Sequence, residues 1–334
     1  MKPILFNSAY VPPEWIAAHG FSPRRLLPTA PADGAQAYDG CCSWARAFIA
    51  AADAADAAGV VVACLCDQLR RASESLTRNE NGPAVFMLHV PATWQSAASQ
   101  RYYRRELQRL GRWLEQRGGT APTSGHLRQT MLHHQQQRDA LRAALPQLSG
   151  RQRAAAFADG LESLGPLTDA QTSHEQTSGG TSGGTSGGTS GGVALLGSEI
   201  PRYQWWLYDL IESQGGRIVL DATDAGERGL PAAFDRRVME DDPFEALAAA
   251  YFDGLTHIRQ RPNTPVFDWL KKHIAERGVR GVIFRRSLWC DLWHAEVASV
   301  KQRAGVPVLD LDLDDADTPA RTAGRVAAFL EMLP

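Results

Sequence analysis

The second half of the chain alternates short apolar segments with longer segments whose apolar residues recur every three or four positions. The short segments are "VALLGSE", "RIVLDAT", "RGVIFRR" and "VPVLDLDL", and each predicts a strand. Between them lie amphipathic stretches such as "DPFEALAAAYFDGL" and "PVFDWLKKHIAERG", which predict helices. This alternation is typical of parallel strands joined by right-handed crossovers. Residues 193–334 are therefore predicted to form a C-terminal α/β domain.

The first half follows the same plan with less regular spacing. Strands are predicted at "PILFNS", "RRLLPT", "GVVVACL" and "AVFMLHV", and an alanine-rich helix at "SWARAFIAAADAADAAG". At about 99–165 three helical patterns follow one another, which predicts a helical subdomain beside the first sheet. We assign residues 1–170 to an N-terminal α/β domain that contains this subdomain. The expected fold is thus two doubly wound, Rossmann- or flavodoxin-like parallel-sheet domains.

A Ser/Gly-rich repeat separates the two halves. The segment "TSGGTSGGTSGGTSGG" at 177–192 contains no apolar residue, so it has nothing to bury. We predict a flexible linker over 171–192. The glycines do not form a phosphate-binding loop, because no strand leads into the repeat and no Lys-Ser/Thr pair follows it.

Composition narrows the possible partners and location. The formal net charge of −2 gives no electrostatic basis for binding nucleic acid. The longest apolar runs, such as "AVFMLHV", are far shorter than a membrane span, so no membrane association is expected. The N-terminal "MKPILFNSAYVPPEW" lacks the apolar core of a signal peptide. The sequence therefore predicts a cytoplasmic protein.

Five cysteines are the candidate chemistry of the chain: Cys41, Cys42, Cys64, Cys66 and Cys290. An odd number in a chain without an export signal argues against a disulfide framework. Cys64 and Cys66 end a predicted strand, Cys290 lies just past another, and the neighbouring Cys41 and Cys42 open a predicted helix. Ligands of open parallel sheets bind beyond the carboxyl ends of the strands. If the two domains face each other, these thiols meet in the cleft between them.

Several thiolates from distant segments suit either zinc or an iron–sulfur cluster. The spacings here are Cys-Cys and Cys-x-Cys, and neither is the paired knuckle of a structural zinc site. A cubane cluster is favoured, and three protein ligands would leave one of its irons open to substrate. Zinc remains an alternative, as does the interpretation that the cysteines are buried packing residues without a metal.

The residues around these cysteines resemble a known family. The segments "YVPPEWIAAHGFSPRRL", "CSWARAF", "CDQLRRASE" and "GVIFRRSLWCDLW", with the closing "AGVPVLDLDLD" and "GRVAAFLE", are similar to subunits of (R)-2-hydroxyacyl-CoA dehydratases and benzoyl-CoA reductases. The resemblance extends over about residues 10–331. It places Cys42, Cys66 and Cys290 at the positions of the three cluster cysteines.

The resemblance implies an iron–sulfur subunit in which three cysteines hold a [4Fe-4S] cluster between two α/β domains. It implies three partners: an acyl-CoA substrate, a paralogous second subunit, and an ATP-dependent iron–sulfur activator protein that injects one electron. The electron would reduce the CoA thioester to a ketyl radical. The outcome would be loss of the 2-hydroxyl group in a dehydratase, or ring reduction in a benzoyl-CoA reductase.

Two of the five cysteines are not among the three that the resemblance gives as cluster ligands. Cys41 and Cys64 either pack next to the ligands or take part in a double-cubane [8Fe-9S] cluster, which needs more than three cysteines. The alternative functions are therefore a double-cubane electron-transfer or reductase protein, or a non-catalytic partner subunit. Glu14 and Ser43 are the candidate catalytic residues for substrate contact. The arginines that could face CoA phosphates, or simply lie at the surface, are Arg24, Arg25 and Arg46.

Overall fold

The computed structural model describes residues 2–32, 40–164 and 192–334. Of the predicted linker 171–192, all but Gly192 lies outside the described residues, and Gly192 is the first residue of a strand. The division of the chain into domains at this linker stays a prediction.

Two four-stranded parallel sheets form the centre of the molecule. The first contains β1 (Pro3–Phe6), β2 (Ser22–Arg25), β3 (Gly59–Ala63) and β4 (Val85–Leu88), in the order β2-β1-β3-β4. The second contains β5 (Gly192–Gly197), β6 (Arg217–Thr223), β7 (Val279–Ser287) and β8 (Val308–Leu313), in the order β6-β5-β7-β8. Both orders are those of a flavodoxin-like sheet, so the predicted fold class is confirmed.

Helices cover the sheets. The helices are α1 (Pro13–Ala18), α2 (Ser43–Asp53), α3 (Asp67–Arg78), α4 (Ala97–Gln116), α5 (Ser124–Ala144), α6 (Gly150–Asp159), α7 (Trp206–Ser213), α8 (Arg236–Asp241), α9 (Pro243–Phe252), α10 (Thr264–Glu276), α11 (Asp291–His294), α12 (Val297–Arg303) and α13 (Pro319–Met332). The segment "DLWHAEVASVKQRAG", whose pattern predicts one helix, forms the two helices α11 and α12. No helix within the described ranges is long and apolar enough to cross a membrane.

Two helices, α6 and α9, pack against elements of the other half of the chain. Helix α6 contacts β2 of the first sheet, as the sequence predicted, and also β6 and α7 of the second half. Its first residue explains the close approach, because a Cβ at Gly150 would lie only 2.7 Å from Ile218 Cδ1. Conversely, α9 packs between α4 and α5, where Phe252 stacks on Tyr103 with ring centroids 5.1 Å apart. This exchange of helices joins the two halves through shared cores.

Candidate functional site

The first and third strands of each sheet are neighbours, and the crossovers leave them in opposite directions. Such a switch point opens a crevice at the carboxyl ends of the two strands. In the first sheet the crevice is closed at its base by Asn7, the residue after β1. Its side chain donates from Nδ2 to the Ala63 carbonyl (3.2 Å) and accepts from the Ala63 N–H at Oδ1 (2.8 Å). These two bonds link the ends of β1 and β3.

In the second sheet, Ser198, the residue after β5, links the ends of the two central strands β5 and β7. Its Oγ accepts from the N–H of Ser287, the last residue of β7, at 3.2 Å. The preceding Gly197 has a φ of +132°, and a Cβ there would lie 1.7 Å from the Arg285 carbonyl oxygen. Only glycine therefore allows β5 and β7 to approach this closely at the switch point.

The two crevices open into one cavity of ≈ 100 Å³ between the sheets. Residues from both halves line it: Asn7, Ser8, Ala9, Tyr10, Arg25, Cys42, Trp44, Leu65, Cys66, Leu69, Ser198, Glu199, Asp224, Arg228, Gly229, Leu255, Thr256, His257, Ser287, Cys290, Leu292 and Trp293. The three cysteines expected to act together, Cys42, Cys66 and Cys290, are all among them. Cys42 and Cys290 lie 248 positions apart in the sequence, since 290 − 42 = 248, and the structure brings both to the same cavity.

Each of these three cysteines directly precedes a helix. Cys42 is the N-cap of α2, Cys66 of α3, and Cys290 of the short α11. None of the three thiols makes a cap hydrogen bond of standard geometry with its helix. A free thiol is a weak partner for the first N–H groups of a helix, whereas a thiolate would be stabilised by them. The local structure therefore favours a negative charge on sulfur.

Burial works against that charge while no metal is bound. It raises the pKa of Cys42 to about 11 and that of Cys290 to about 12, and it also raises the pKa of Cys66. The facing backbone N–H of Ala45 opposes this effect at Cys42, and the neighbouring Cys66 adds to it. The metal-free thiols are therefore protonated at neutral pH, and a metal would displace their protons on binding.

The spacing of the donors limits what they can hold. Within residues 2–32, 40–164 and 192–334, no three His, Cys, Asp or Glu side chains form a group suited to a single metal ion. The three cysteines all line one cavity. Thiolate donors are typical of iron–sulfur clusters as well as zinc, and a cluster is larger than one ion. The set of three cysteine donors around one cavity fits a cluster.

Cys41 and Cys64 are not lining residues of the cavity. Both are half-buried and pack against the core formed by α2, α3 and β3. The Cys64 thiol points back along its own strand, with Sγ 3.7 Å from the Val62 carbonyl oxygen. The structure separates these two thiols from the three that face the cavity.

The two predicted catalytic residues also lie outside the cavity lining. Ser43 is the buried first residue of α2. Glu14 is completely buried, forms an ion pair with Arg138, and accepts from the Tyr251 hydroxyl group at 2.7 Å. Ser43 directly follows Cys42 in the chain, but neither Ser43 nor Glu14 lines the cavity, and their catalytic role stays a prediction.

Two of the three predicted phosphate-binding arginines, Arg25 and Arg46, have protein partners. Arg25 lies on the cavity wall with its Nη2 2.6 Å from the Glu199 carboxylate, and it donates to the Asp224 carbonyl oxygen at 3.1 Å. Arg46 pairs with Asp315 at 3.1 Å. Both contacts join the first half of the chain to the second, and the contact of Arg25 lies on the cavity wall.

A cluster of polar side chains on the cavity wall was not predicted from the sequence. The carboxylate of Asp224 accepts from Arg228 Nη2 (2.5 Å) and Trp293 Nε1 (3.1 Å), and lies 3.6 Å from His257 Nε2. Burial lowers the pKa of His257 to about 4, so this ring is neutral at physiological pH. The group therefore presents a fixed carboxylate and a neutral imidazole to the cavity.

Positions at strand ends could have revealed part of this wall. Asn7 follows the first strand of the first half, and Ser198 and Glu199 follow the first strand of the second half. The rule that singled out the cysteines applies equally to these polar residues. His257 lies in the loop between α9 and α10, where no sequence pattern marks it.

Glu199 should make the free energy of unfolding depend on pH. Burial raises its pKa to about 7, although the neighbouring Arg25 lowers it, so the folded protein binds a proton that the unfolded chain releases near pH 4.5. The free energy of unfolding should therefore fall between about pH 4.5 and 7, by up to ~1.4 kcal/mol per pH unit, and level off above. Urea unfolding of the metal-free chain across this range measures the slope. Glu199→Gln should reduce it, and an equal slope in that variant would contradict the assignment.

Similarity to solved structures is weak. The periplasmic zinc-binding protein TroA from Treponema pallidum is 11% identical, with 99% of each chain covered and a TM-score of 0.25. The laminin-binding protein Lbp of Streptococcus pyogenes is 9% identical, with 100% of each chain covered and a TM-score of 0.24. Scores this low carry no information on function. The comparison with curated proteins gives no match.

The family comparison is informative because it covers nearly the whole chain. The model of the 2-hydroxyglutaryl-CoA dehydratase D-component matches residues 8–333. This range includes every strand except β1 and all three cysteines that line the cavity. The chain therefore belongs to the 2-hydroxyglutaryl-CoA dehydratase D-component family, and it is a component of the 2-hydroxyacyl-CoA dehydratase type.

Proposed function

We propose that Cys42, Cys66 and Cys290 hold one [4Fe-4S] cluster, and that the chain is the iron–sulfur subunit of a 2-hydroxyacyl-CoA dehydratase or benzoyl-CoA reductase type of enzyme. The observation that carries this proposal is that three thiols, from loops of both halves, line a single cavity between two switch points. Family membership supports the reaction class.

Three protein ligands leave one corner of a cubane without a protein ligand. Such a cluster, when bound, supplies one-electron reduction of an acyl-CoA thioester and an iron that can polarise the thioester carbonyl as a Lewis acid. The chain supplies the surroundings. Trp44, Leu65 and Trp293 form apolar parts of the wall, which exclude water and strengthen electrostatic interactions inside the cavity.

Glu199 suits proton transfer in this site. Its carboxyl group lines the cavity, and its pKa of about 7 lets the carboxyl oxygen hold or release a proton near neutral pH. Loss of a 2-hydroxyl group needs a proton donor for the departing oxygen. Arg25, on the same wall, holds the Glu199 carboxylate in place through its ion pair.

The proposal includes three partners. They are an acyl-CoA substrate, a paralogous second subunit, and an ATP-dependent iron–sulfur activator that supplies the electron. Family membership is the support for them.

Anaerobic reconstitution of the full chain with iron and sulfide tests the proposal. We expect about four irons and four sulfides per chain and an electron paramagnetic resonance signal after reduction. About eight irons would favour the double-cubane alternative instead. A chain that binds no iron, or that binds one zinc ion through the same cysteines, would overturn the proposed function.

A further inference from the structure

Arg285 differs from the other buried arginines within the described ranges. Four of them form an ion pair with a carboxylate: Arg138 with Glu14, Arg153 with Glu227 (3.7 Å), Arg228 with Asp224 (2.5 Å) and Arg286 with Asp310 (3.1 Å). Arg285 is only 1% exposed, yet it has no carboxylate partner within residues 2–32, 40–164 and 192–334. A buried charge without a counter-charge is costly, so this side chain calls for an explanation.

The hydrogen bonds of Arg285 go to neutral acceptors. Its Nη1 donates to Ser198 Oγ (2.9 Å), the Glu199 carbonyl oxygen (3.1 Å) and Ser287 Oγ (3.0 Å). Its Nη2 donates to the Gln204 side-chain oxygen, and its Nε has no partner among the described residues. These bonds fix the orientation of the guanidinium group but leave its charge uncompensated.

The guanidinium group of Arg285 lies next to the cavity. Ser198, Glu199 and Ser287 all line the cavity, so the guanidinium group lies one hydrogen bond behind its wall. The thiols of Cys42 and Cys290 lie close enough to interact with its charge. Both thiols are on the wall of the same cavity.

Two tyrosines also face Arg285, but neither supplies a negative charge. Tyr203 donates its hydroxyl proton to Asp315 (2.6 Å), and Tyr208 donates its own to Asp221 (2.9 Å). Burial raises the pKa of both phenols, so they stay neutral at physiological pH. Among the groups that face Arg285 most closely, the two thiols remain as the possible anions.

We propose that Arg285 is a positioning residue whose buried positive charge is the counter-charge of the Cys42 and Cys290 thiolates in the loaded site. This inference rests on the proposed function. A fixed positive charge beside a cluster stabilises the thiolate ligands and favours the uptake of a further electron. Arg285 should therefore slow the loss of iron and raise the reduction potential of the site.

Three variants of the full chain, reconstituted anaerobically, test this role. Arg285→Gln removes the charge, Arg285→Lys retains it, and Arg153→Gln removes a buried arginine that has its own carboxylate and does not line the cavity. We measure the reduction potential by a redox titration followed by electron paramagnetic resonance, and the rate of iron loss to a chelator. Arg285→Gln should lower the potential and speed the loss of iron. Arg285→Lys should stay close to the unchanged chain, and Arg153→Gln should leave the potential unchanged.

The possible outcomes separate the inference from the proposed function. An unchanged chain that binds no iron overturns both. If the unchanged chain binds iron and Arg285→Gln has the same reduction potential, the inference is overturned but the proposed function is not. An equal loss of potential or of folding in Arg285→Gln and Arg285→Lys also overturns it, because hydrogen-bond geometry rather than charge would then be the requirement. Iron loading in Arg285→Lys but not in Arg285→Gln supports it.

Discussion

Single replacement of Cys42, Cys66 or Cys290 by alanine should reduce the iron content of the reconstituted chain from about four per chain to nearly none. Each replacement would leave two protein ligands for a cluster that already has a corner without one. The three thiols lie in separate loops, and neither Cys41 nor Cys64 lines the cavity to take the place of a lost ligand. Iron and sulfide analysis, together with the visible absorption of the cluster, measures the effect.

The same chain supplies matched controls for these variants. Cys41→Ala and Cys64→Ala remove the same chemical group at positions one and two residues from a proposed ligand, but neither residue lines the cavity. Both variants should retain the iron of the unchanged chain. Full iron content in a variant at 42, 66 or 290 would remove that residue from the ligand set. Loss of iron in both control variants would favour the double-cubane alternative.

The second large effect concerns the buried ion pair of Glu14 and Arg138. Arg138→Met should lower the free energy of unfolding by about 3–5 kcal/mol, because the completely buried Glu14 carboxylate would lose its cation. The Tyr251 hydroxyl group would remain as a neutral donor to that carboxylate. Urea unfolding of the metal-free chain, followed by circular dichroism, measures the change.

A surface ion pair provides the comparison. Arg151 donates to Asp209 at 2.7 Å, but both side chains are about half exposed, so Arg151→Met should change stability by under ~1 kcal/mol. A loss in Arg138→Met no larger than in Arg151→Met would contradict a structural role for the buried pair.

Glu14→Gln separates stability from catalysis at the predicted catalytic residue. Because Glu14 does not line the cavity, we expect this variant to be less stable while its iron content and reduction potential stay unchanged. A variant of unchanged stability with an altered cluster would support the catalytic role predicted from the sequence.

Much of the fold could be predicted from the sequence because the relevant signals are local. Apolar segments such as "RIVLDAT" predicted their strands, and β6 covers the same residues, Arg217–Thr223. The ends of a strand depend on which residues of the neighbouring strand it pairs with, and the sequence does not show this pairing. Strand β2 begins at Ser22, two residues before the predicted segment, because Ser22–Arg25 pairs with Pro3–Phe6. The apolar residues after Arg25 indicated that a strand lies here, but they did not show which of its residues pair with β1.

The cysteines of the site were predictable for a related reason. A strand end is visible in the sequence, and the carboxyl ends of parallel strands meet at one edge of a sheet. Cys66 and Cys290 follow the third strand of their respective sheets, so equivalent positions in two similar sheets brought them to one cavity. Glu14 shows the limit of this reasoning, because its partner Arg138 lies 124 positions away.

The alternation of apolar and amphipathic segments thus determined the fold class, and the placement of thiols after strands determined the candidate ligands. Only the tertiary structure decided that α6 and α9 contact elements of the opposite half, that Glu199 and His257 line the cavity with the cysteines, and that Arg285 has no carboxylate partner among the described residues. The physical reason is that periodicity and strand ends belong to neighbouring residues. Burial and charge compensation depend on groups that are far apart in the chain and meet only when it folds.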